Sequence, residues 1–364
     1  MTTPDLDLEA FGRELDAIRD DVTASLGDRD RRYILRAIAA QRALARGGRL
    51  LIYASLPLLP IPPLFAGVIG LGTLALGISR ILENMEIGHN VLHGQWDWMN
   101  DPAIHSSTWE WDTACPADQW KHSHNVEHHT WTNVLGRDRD VGYDILRVTE
   151  RQPWRPAHLA QPVTNALLAL LFQYGVAMHD VDLGALRRGE TRLADVRGKL
   201  AGIGRKVARQ ALKDYVVFPA LAGPWFLPVL LANVAANLMR NLWSYAIIFC
   251  GHFPDGAQVF DEASLAGETR ARWYQRQILG SCNITGGPLF HVLSGNLSHQ
   301  IEHHVFPDLP SNRYPEIAPR VEAICARHGV PYNAGSFARQ LGTTLRTIWR
   351  LALPTRRRRD ALAA

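Results

Sequence analysis

The sequence predicts an all-α membrane protein in which four transmembrane helices form two hairpins. Two long apolar regions, each interrupted near its middle, predict the hairpins. Arginine-rich polar segments surround these regions, which is typical of the cytoplasmic side of a membrane protein. The mean hydropathy of −0.11 averages over both kinds of segment. With 47% hydrophobic and 20% charged residues among its 364, the chain can bury a large core and is not of the disordered class.

The first apolar region, residues 50–79, follows an arginine-rich segment at 1–49 that we predict to be amphipathic helix in the cytosol. Its 30 uncharged residues would form a helix of about 45 Å, which exceeds the bilayer core of about 30 Å. A PIPP sequence interrupts the run, so we predict a hairpin with one helix ending near Leu59 and the next beginning near Leu64. The first arm then needs residues before Gly47 to cross, and one kinked membrane helix is the alternative.

The second apolar region, Tyr215–Pro254, contains one charged residue in 40. This length suits two crossings, and we predict a break between them near residues 232–237. A shorter apolar stretch at 164–178 cannot span a bilayer and predicts an interfacial helix. Two hairpins place both termini on one side, and the basic segments at 187–213 and Arg356–Arg359 predict that this side is the cytoplasm.

The cysteine and charge patterns exclude several classes of protein. The four cysteines lie far apart with no CxxC pair, which argues against a disulfide scaffold, a zinc ribbon and a cysteine-ligated iron–sulfur cluster. The net charge of +4 comes without an arginine stripe interleaved with aromatic residues. We therefore expect membrane lipid and no nucleic acid as a partner. The acidic, polar start predicts no secretory signal peptide.

Eight of the 15 histidines fall into three groups with regular spacing, HNVLH, HNVEHH and HQIEHH. They are His89 and His93, then His124, His128 and His129, then His299, His303 and His304. Residues four apart lie on one helix face about 5–6 Å apart, so each group can aim two imidazoles at one point. The last histidine of each HH pair can reach a second point. Eight imidazoles exceed the needs of one tetrahedral zinc and predict two metals, and Zn, Cu, Fe and Ni all suit imidazole.

The two-hairpin topology brings these groups together, because an even number of crossings separates them. His252, at the cytoplasmic end of the last apolar helix, is a ninth candidate, since ionisable residues at membrane depth are costly without a function. A haem protein needs fewer histidines, and the HExxH sequence of zinc hydrolases is not present. Three other histidines, His158, His179 and His328, are expected to be ordinary surface or core residues. Three more could contact the metal ligands or line a substrate channel: His105, His122 and His291.

The segments HNVLHGQWDWMNDP, HNVEHHTWTNV and GNLSHQIEHHVFPDLPSNRYPEIAPRV resemble membrane fatty acid desaturases, most closely the actinobacterial stearoyl-CoA delta-nine type. The resemblance covers about residues 45–345. It implies four membrane helices under a cytosolic helical cap that holds two non-haem irons. The ligands that it implies are His89, His93, His124, His128, His129, His252, His299, His303 and His304. Many relatives begin the third group with glutamine, so the sequence leaves open whether His299 or Gln300 faces the metal.

The resemblance implies a reaction in which O2, two electrons and two protons are used to remove two hydrogens from adjacent methylenes of a long-chain acyl substrate. A hydroxylase or acetylenase on the same scaffold is one alternative, and a membrane metal-binding or transport protein is an alternative of another class. The sequence has no cytochrome b5 module, cysteine cluster or GxGxxG fingerprint. The electrons must then come from a separate ferredoxin, flavodoxin or oxidoreductase, ultimately from NAD(P)H. The acyl carrier, CoA or lipid, stays open.

The resemblance also implies a division of the chain about the bacterial cytoplasmic membrane, with the active site and both termini in the cytoplasm. The predicted parts are N-terminal cytosolic helices at 1–49 and the first hairpin with its histidine group at 50–95. A cap segment with the second group follows at 96–213, and the second hairpin lies at 214–254. The last part, 255–364, is a cap segment with the third group and a basic tail. Candidate carboxylates for orienting the ligating rings are Glu86, Asp97, Asp138, Asp140 and Asp144, with an ordinary solvated or salt-bridged carboxylate as the alternative for each. Six tryptophans are expected to anchor the cap at the interface, with an acyl tunnel as the alternative: Trp96, Trp98, Trp109, Trp111, Trp120 and Trp131.

Overall fold

The computed structural model describes residues 7–355, and within them the chain is mostly helical, as predicted. The basic tail Arg356–Arg359 lies outside the described residues. Two long helical hairpins pack side by side, and shorter helices pack around the ends that carry the histidines. This arrangement sets the position of the candidate site, which lies where the hairpins and the shorter helices meet.

The first hairpin pairs the helix Asp28–Ser55 with the helix Pro62–Ile81. The second arm continues through a π-helical segment, Leu82–His89, as far as Leu92. A 3₁₀ turn, Leu56–Leu58, and the prolines of the PIPP sequence connect the arms. Proline suits the start of the second arm because the first backbone N–H groups of a helix have no partner within it.

Glycines let the two arms of the first hairpin touch. A Cβ on Gly72 would lie 2.8 Å from the carbonyl oxygen of Gly48 and 2.9 Å from the backbone nitrogen of Ile52, closer than real Cβ contacts come. The first arm begins at Asp28, so it does use residues before Gly47, as predicted.

The second hairpin begins with Leu193–Ala211, continues through Leu212–Val217 and Phe218–Ala220, and returns as the helix Phe226–His252. The predicted break near residues 232–237 is therefore wrong, because these residues lie inside one continuous helix. The first arm is also longer and more polar than predicted, since it starts about twenty residues before Tyr215.

The actual break follows from local sequence. Gly223 adopts a φ of +56°, a left-handed conformation that glycine accepts readily, and Pro224 starts a short 3₁₀ turn. Asn233 and Asn237, which lie in the predicted break, are buried inside the helix bundle. Asn233 Oδ1 accepts a hydrogen bond of 3.0 Å from Arg49 of the first hairpin. The polar side chains thus join two helices and do not end one.

A buried carboxylate connects the hairpins. Asp214 on the second hairpin is fully buried and lies 3.2 Å from a guanidinium nitrogen of Arg49 and 3.0 Å from one of Arg80. Arg80 also donates a hydrogen bond to Asn237. Buried ion pairs are costly to break because the remaining charge is left without a partner, so these contacts hold the hairpins in one relative position.

Among residues 7–355, one helix, Pro62–Leu92, is long and apolar enough to cross a membrane by length and composition. The facing arm, Asp28–Ser55, carries several arginines, and the arm that begins at Leu193–Ala211 is polar as well. The count of four crossings therefore stays a prediction, while the two helical hairpins themselves are present.

Shorter helices form the rest of the described chain, which we call the cap. Their bounds are Leu8–Ala24, Ala117–Trp120, Gln161–Leu170, Phe172–Met178, Leu183–Arg188, Arg270–Leu279, Pro288–Leu293, Gln300–Val305, Tyr314–Arg327 and Phe337–Leu351. Two short parallel strands, Asn283–Thr285 and Ala334–Ser336, pair Ile284 with Gly335. The predicted interfacial helix at 164–178 is present as two helices that break at Leu171. All four cysteines are free and buried.

We expect Gly72→Ala to destabilise the first hairpin, because the new Cβ would press on backbone atoms of the facing arm. The expected loss of stability is about 1–3 kcal/mol, measured as a lower thermal unfolding midpoint of the detergent-solubilised protein. Gly70→Ala is the matched control, since a Cβ at Gly70 meets nothing within 4 Å. It should leave the midpoint unchanged or raise it slightly, because alanine favours helix over glycine. Equal midpoints for the two variants would contradict the close contact.

Candidate metal centre

Four separate elements supply histidines to one centre. The first two histidine groups lie on π-helical segments, Leu82–His89 and Lys121–His128, and wide turns of this kind are rare and recur at functional sites. The third group lies on the short helix Gln300–Val305. His252 is the last residue of the long helix Phe226–His252. The hairpins and the cap therefore both contribute rings.

Eight of the nine predicted ligands come together in what we call the histidine cluster. Their ring nitrogens form overlapping groups, within each of which all nitrogens lie within 4.8 Å of one another. The groups are His89, His93, His124 and His303; His128, His252 and His304; and His129, His303 and His304. Two neighbouring sets of three or four nitrogens match the number of protein ligands that single metal ions take.

The structure does not bring His299 into the histidine cluster. Its ring packs against that of His291, with centroids 4.6 Å apart. Gln300 takes the position at the cluster, where its Nε2 lies 3.0 Å from Nε2 of His252. The physical reason is that the helix begins at Gln300, so Gln300 and not His299 has helical spacing to the residue four positions on, His304.

Polar groups hold the outward nitrogens of the rings. Nδ1 of His128 lies 3.0 Å from a carboxylate oxygen of Asp138, and Nδ1 of His304 lies 3.0 Å from the amide oxygen of Gln277. Such partners select the ring tautomer and direct Nε2 toward the centre. The rings are therefore oriented before any ligand binds.

Several inward nitrogens lack partners. Within the described residues, Nε2 of His93, His124 and His303 is buried without a hydrogen-bond partner, and His129 has no partner at either nitrogen. Buried polar atoms are nearly always paired in folded proteins. Metal ions bound by imidazole would satisfy one nitrogen of each of these four rings, so the residues fit a metal centre.

The electrostatics of the histidine cluster favour neutral rings, with one exception. Burial, together with the neighbouring imidazoles, holds the pKa of His129 and of His304 well below the ordinary value. Neutral imidazole is the form that binds metal. Burial also lowers the pKa of His128, but the carboxylates of Asp138 and Asp140 outweigh it and raise that pKa to about 9. These carboxylates would partly offset the charge of a bound cation.

Two of the five predicted carboxylates therefore lie beside the histidine cluster. Asp138 contacts His128, and Asp140 lies 3.7 Å from His128 and 2.8 Å from Nδ1 of His179. His179, which was expected to be an ordinary histidine, thus contacts a carboxylate that lies beside the histidine cluster.

The other three predicted carboxylates have different partners. Glu86 is fully buried and accepts hydrogen bonds of 2.8 Å from the hydroxyl groups of Tyr33 and Ser311. Asp97 accepts a backbone N–H at 2.8 Å from a nearby loop. Asp144 lies on a cavity wall away from the cluster. The distance along the sequence to a histidine group therefore could not distinguish these three acids from Asp138 and Asp140, which lie beside the histidine cluster.

A cavity of about 50 Å³, which we call the inner cavity, borders the histidine cluster. His124 and His252 form part of its wall, and Trp111, Trp120 and Phe172 form an aromatic part. Trp111 and Trp120, two of the six tryptophans expected at the membrane interface, thus line a cavity. For these two residues the structure fits the alternative prediction, in which they line an acyl tunnel.

A second space of about 650 Å³, the outer cavity, adjoins the inner cavity. Tyr143 and His179 line both, with ring centroids 4.2 Å apart. Arg155, Arg187 and Arg188 line the outer cavity. The Tyr143–His179 pair is therefore the wall shared by the basic outer cavity and the inner cavity at the histidine cluster.

Sequence reasoning missed three of these residues. Gln277 reaches His304 from another helix, 27 positions away, so no local spacing identifies it. Tyr143 and His179 belong to none of the three histidine groups, so their place beside the cluster depends on contacts between distant parts of the chain. For Tyr143, a φ of +56°, which is unusual for a tyrosine, is visible only in the structure.

Comparison with known proteins agrees with this geometry. The model of the family "Fatty acid desaturase" matches residues 64–336. The chain is 50% identical over 360 residues to the NADPH-dependent stearoyl-CoA 9-desaturase of two strains of Mycobacterium tuberculosis, which covers 98% of this chain and 82% of that protein. It is 27% identical over 321 residues to an acyl-lipid (7-3)-desaturase of Rebecca salina, covering 79% of this chain and 65% of that protein. It is also 25% identical over 285 residues to an sn-1 linoleoyl-lipid 6-desaturase of Synechocystis, covering 72% of this chain and 74% of that protein.

We expect Gln300→Ala to weaken metal binding more than His299→Ala, because only Gln300 lies at the histidine cluster. The measurement is the metal content of the two purified variants and their rate of metal loss to a chelator. His299→Ala should retain the metal content of the unchanged protein. Loss of metal from His299→Ala with full retention in Gln300→Ala would reverse the assignment.

We expect Asp138→Asn to lower metal affinity or activity by about 10–100-fold, because the ligating ring of His128 loses the carboxylate that orients it. Asp144→Asn removes the same charge from a residue that lies away from the cluster and should leave the metal content unchanged. Equal effects of the two substitutions on chelator-driven metal loss would remove Asp138 from this role.

Proposed function

This chain belongs to the fatty acid desaturase family and is an enzyme of it, and we propose that it introduces one double bond into a long-chain acyl substrate at a centre of two non-haem irons. The observation that carries the proposal is the convergence of eight imidazoles, with inward nitrogens unpaired, on the wall of an inner cavity. In the proposed reaction two C–H bonds of adjacent methylenes break and a C=C bond forms. One O2, two electrons and two protons are consumed and two waters are released.

The ligand assignment is part of the proposal. His89, His93, His124 and His303 would hold one iron. His128, His129, His252 and His304, with Gln300 beside them, would hold the other. When bound, the irons supply the activation of O2, which side chains alone cannot provide. The protein residues keep the rings neutral, oriented and away from bulk water.

The cavities support an activated acyl chain as the substrate. The inner cavity has aromatic walls that suit methylene groups, and the outer cavity has arginines that suit the phosphates of a carrier such as coenzyme A. Because the relative with 50% identity is named a stearoyl-CoA 9-desaturase, we propose stearoyl-CoA as the substrate and carbons 9 and 10 as the position. The head group would stay in the outer cavity while the chain passes Tyr143 and His179.

The proposal includes the setting of the enzyme. Membrane association is general in the family, and the helix Pro62–Leu92 is apolar enough to span a bilayer. We propose that the protein lies in the bacterial cytoplasmic membrane through both hairpins, with the cap and both termini in the cytoplasm. A separate protein, ultimately reduced by NAD(P)H, would supply the electrons.

We expect a host that makes this protein with a suitable electron donor to accumulate fatty acids with one new double bond at carbon 9. Gas chromatography with mass spectrometry after chemical derivatisation locates the bond. His303→Ala should abolish the product, because the ligands act as a unit. His328→Ala is the control, since His328 pairs with Glu14 on the N-terminal helix, away from the cluster. Unchanged product from His303→Ala, hydroxylated product, or one zinc in place of iron in the purified protein would contradict the proposal.

A further inference from the structure

A second basic cavity lies on the other side of the first hairpin, and we call it the arginine cleft. It is an open cleft of about 600 Å³ beside the helix Asp28–Ser55, and Arg29, Arg32 and Arg36 line it from one face of that helix. All three arginines are exposed. Glu316 is the one carboxylate on the wall within residues 7–355, and it pairs with Arg29 at 2.8 Å. The cleft is therefore positively charged even after that pair is counted.

A short bonded route connects the arginine cleft to the histidine cluster. Asn296 lines the cleft and follows Gly295 in the chain. The carbonyl oxygen of Gly295 accepts a hydrogen bond of 3.1 Å from the amide of Asn90. The amide oxygen of Asn90 lies 3.0 Å from Nδ1 of His89. One covalent segment and two hydrogen bonds thus lead from the cleft wall to a ring of the cluster.

The other basic surface lies on a cavity that adjoins the cavity at the cluster. The outer cavity shares Tyr143 and His179 with the inner cavity, whereas the arginine cleft shares no lining residue with the inner cavity in the described part of the chain. An acyl chain needs open space to reach the cluster, but an electron needs only closely bonded atoms. The outer cavity therefore suits the acyl substrate, and the arginine cleft suits a partner that delivers electrons.

We propose that the arginine cleft docks the acidic face of the electron-donor protein, and that electrons enter through Asn296, Gly295 and Asn90 to His89. The proposal rests on the proposed desaturase function, which consumes two electrons for each double bond. The donor is oxidised by two electrons in all, and O2 is reduced with the two protons named above. Electron-transfer encounters use small, charge-matched interfaces, and a cleft with three arginines and one acid fits that type.

The position of the cleft distinguishes a protein partner from lipid. Tyr33, on the cleft wall, contacts Glu86, which lies one helical turn before His89. The cleft thus stands at the level of the cluster, at the end of the hairpin far from the turn that would enter the membrane. Arg42 and Arg46, which are also exposed, lie nearer that turn and are better placed for lipid head groups.

The test uses the double variant Arg32→Glu/Arg36→Glu in the full-length, iron-loaded protein in lipid nanodiscs. The probe is an acidic plant-type [2Fe–2S] ferredoxin, reduced by NADPH and a ferredoxin reductase. We expect the dissociation constant for ferredoxin and its KM in desaturation to rise by about tenfold or more, because charge reversal opposes the complementary field. The rate at which reduced methyl viologen, a small mediator that needs no docking surface, reduces the centre without O2 should stay within about twofold. O2 is added only after this reduction, because it oxidises the mediator directly.

The matched control is Arg205→Glu/Arg209→Glu, which makes the same charge change on exposed residues of the helix Leu193–Ala211. It should leave ferredoxin binding and both rates unchanged. The proposal is overturned if the cleft variant binds ferredoxin normally, or if the control loses as much binding. It is also overturned if the cleft variant instead loses binding to phosphatidylglycerol vesicles, which would make the cleft a lipid site. Absence of unsaturated product with methyl viologen in the unchanged protein would refute the desaturase function separately, while ferredoxin binding still decides the docking site.

Discussion

The structure depends on one constraint, which is the burial of many neutral imidazoles in a small volume. A buried polar atom without a partner costs about 1–3 kcal/mol, and several inward nitrogens of the histidine cluster lack one within the described chain. Each ring must also be kept from rotating toward another hydrogen-bond partner. The outward contacts of His128 with Asp138 and of His304 with Gln277 prevent that rotation. The cluster is therefore held by its surroundings and completed by what it binds.

The hairpins meet this constraint by fixing where their ends lie. His89 ends a π-helical segment of the first hairpin, and His252 ends the long helix of the second. These two helices pack along each other, and a Cβ on Gly77 would lie 2.7 Å from the sulfur of Met239. The buried contacts of Asp214 then set the relative position of the two hairpins. A polar network inside an apolar bundle thus positions histidines of the cluster that it does not contact.

The sequence predicted what depends on local spacing and missed what depends on where helices begin and end. The four-residue spacing of His89 with His93 and of His124 with His128 correctly placed these rings together. The same spacing failed at His299, because the helix starts one residue later.

A similar limit applies to the hairpins and to the residues behind the ligands. A break was predicted near residues 232–237, but Asn233 and Asn237 accept hydrogen bonds from the first hairpin and lie inside a continuous helix. Gln277 and His179 act through contacts between distant parts of the chain, which a single sequence does not display. The two basic surfaces differ in the same way. Both look like arginine-rich sequence, and only the structure separates the one whose cavity adjoins the inner cavity from the one linked to His89 by bonded atoms. Because substrate and electrons have different physical requirements for reaching a buried centre, that difference supports the proposed partner of each surface.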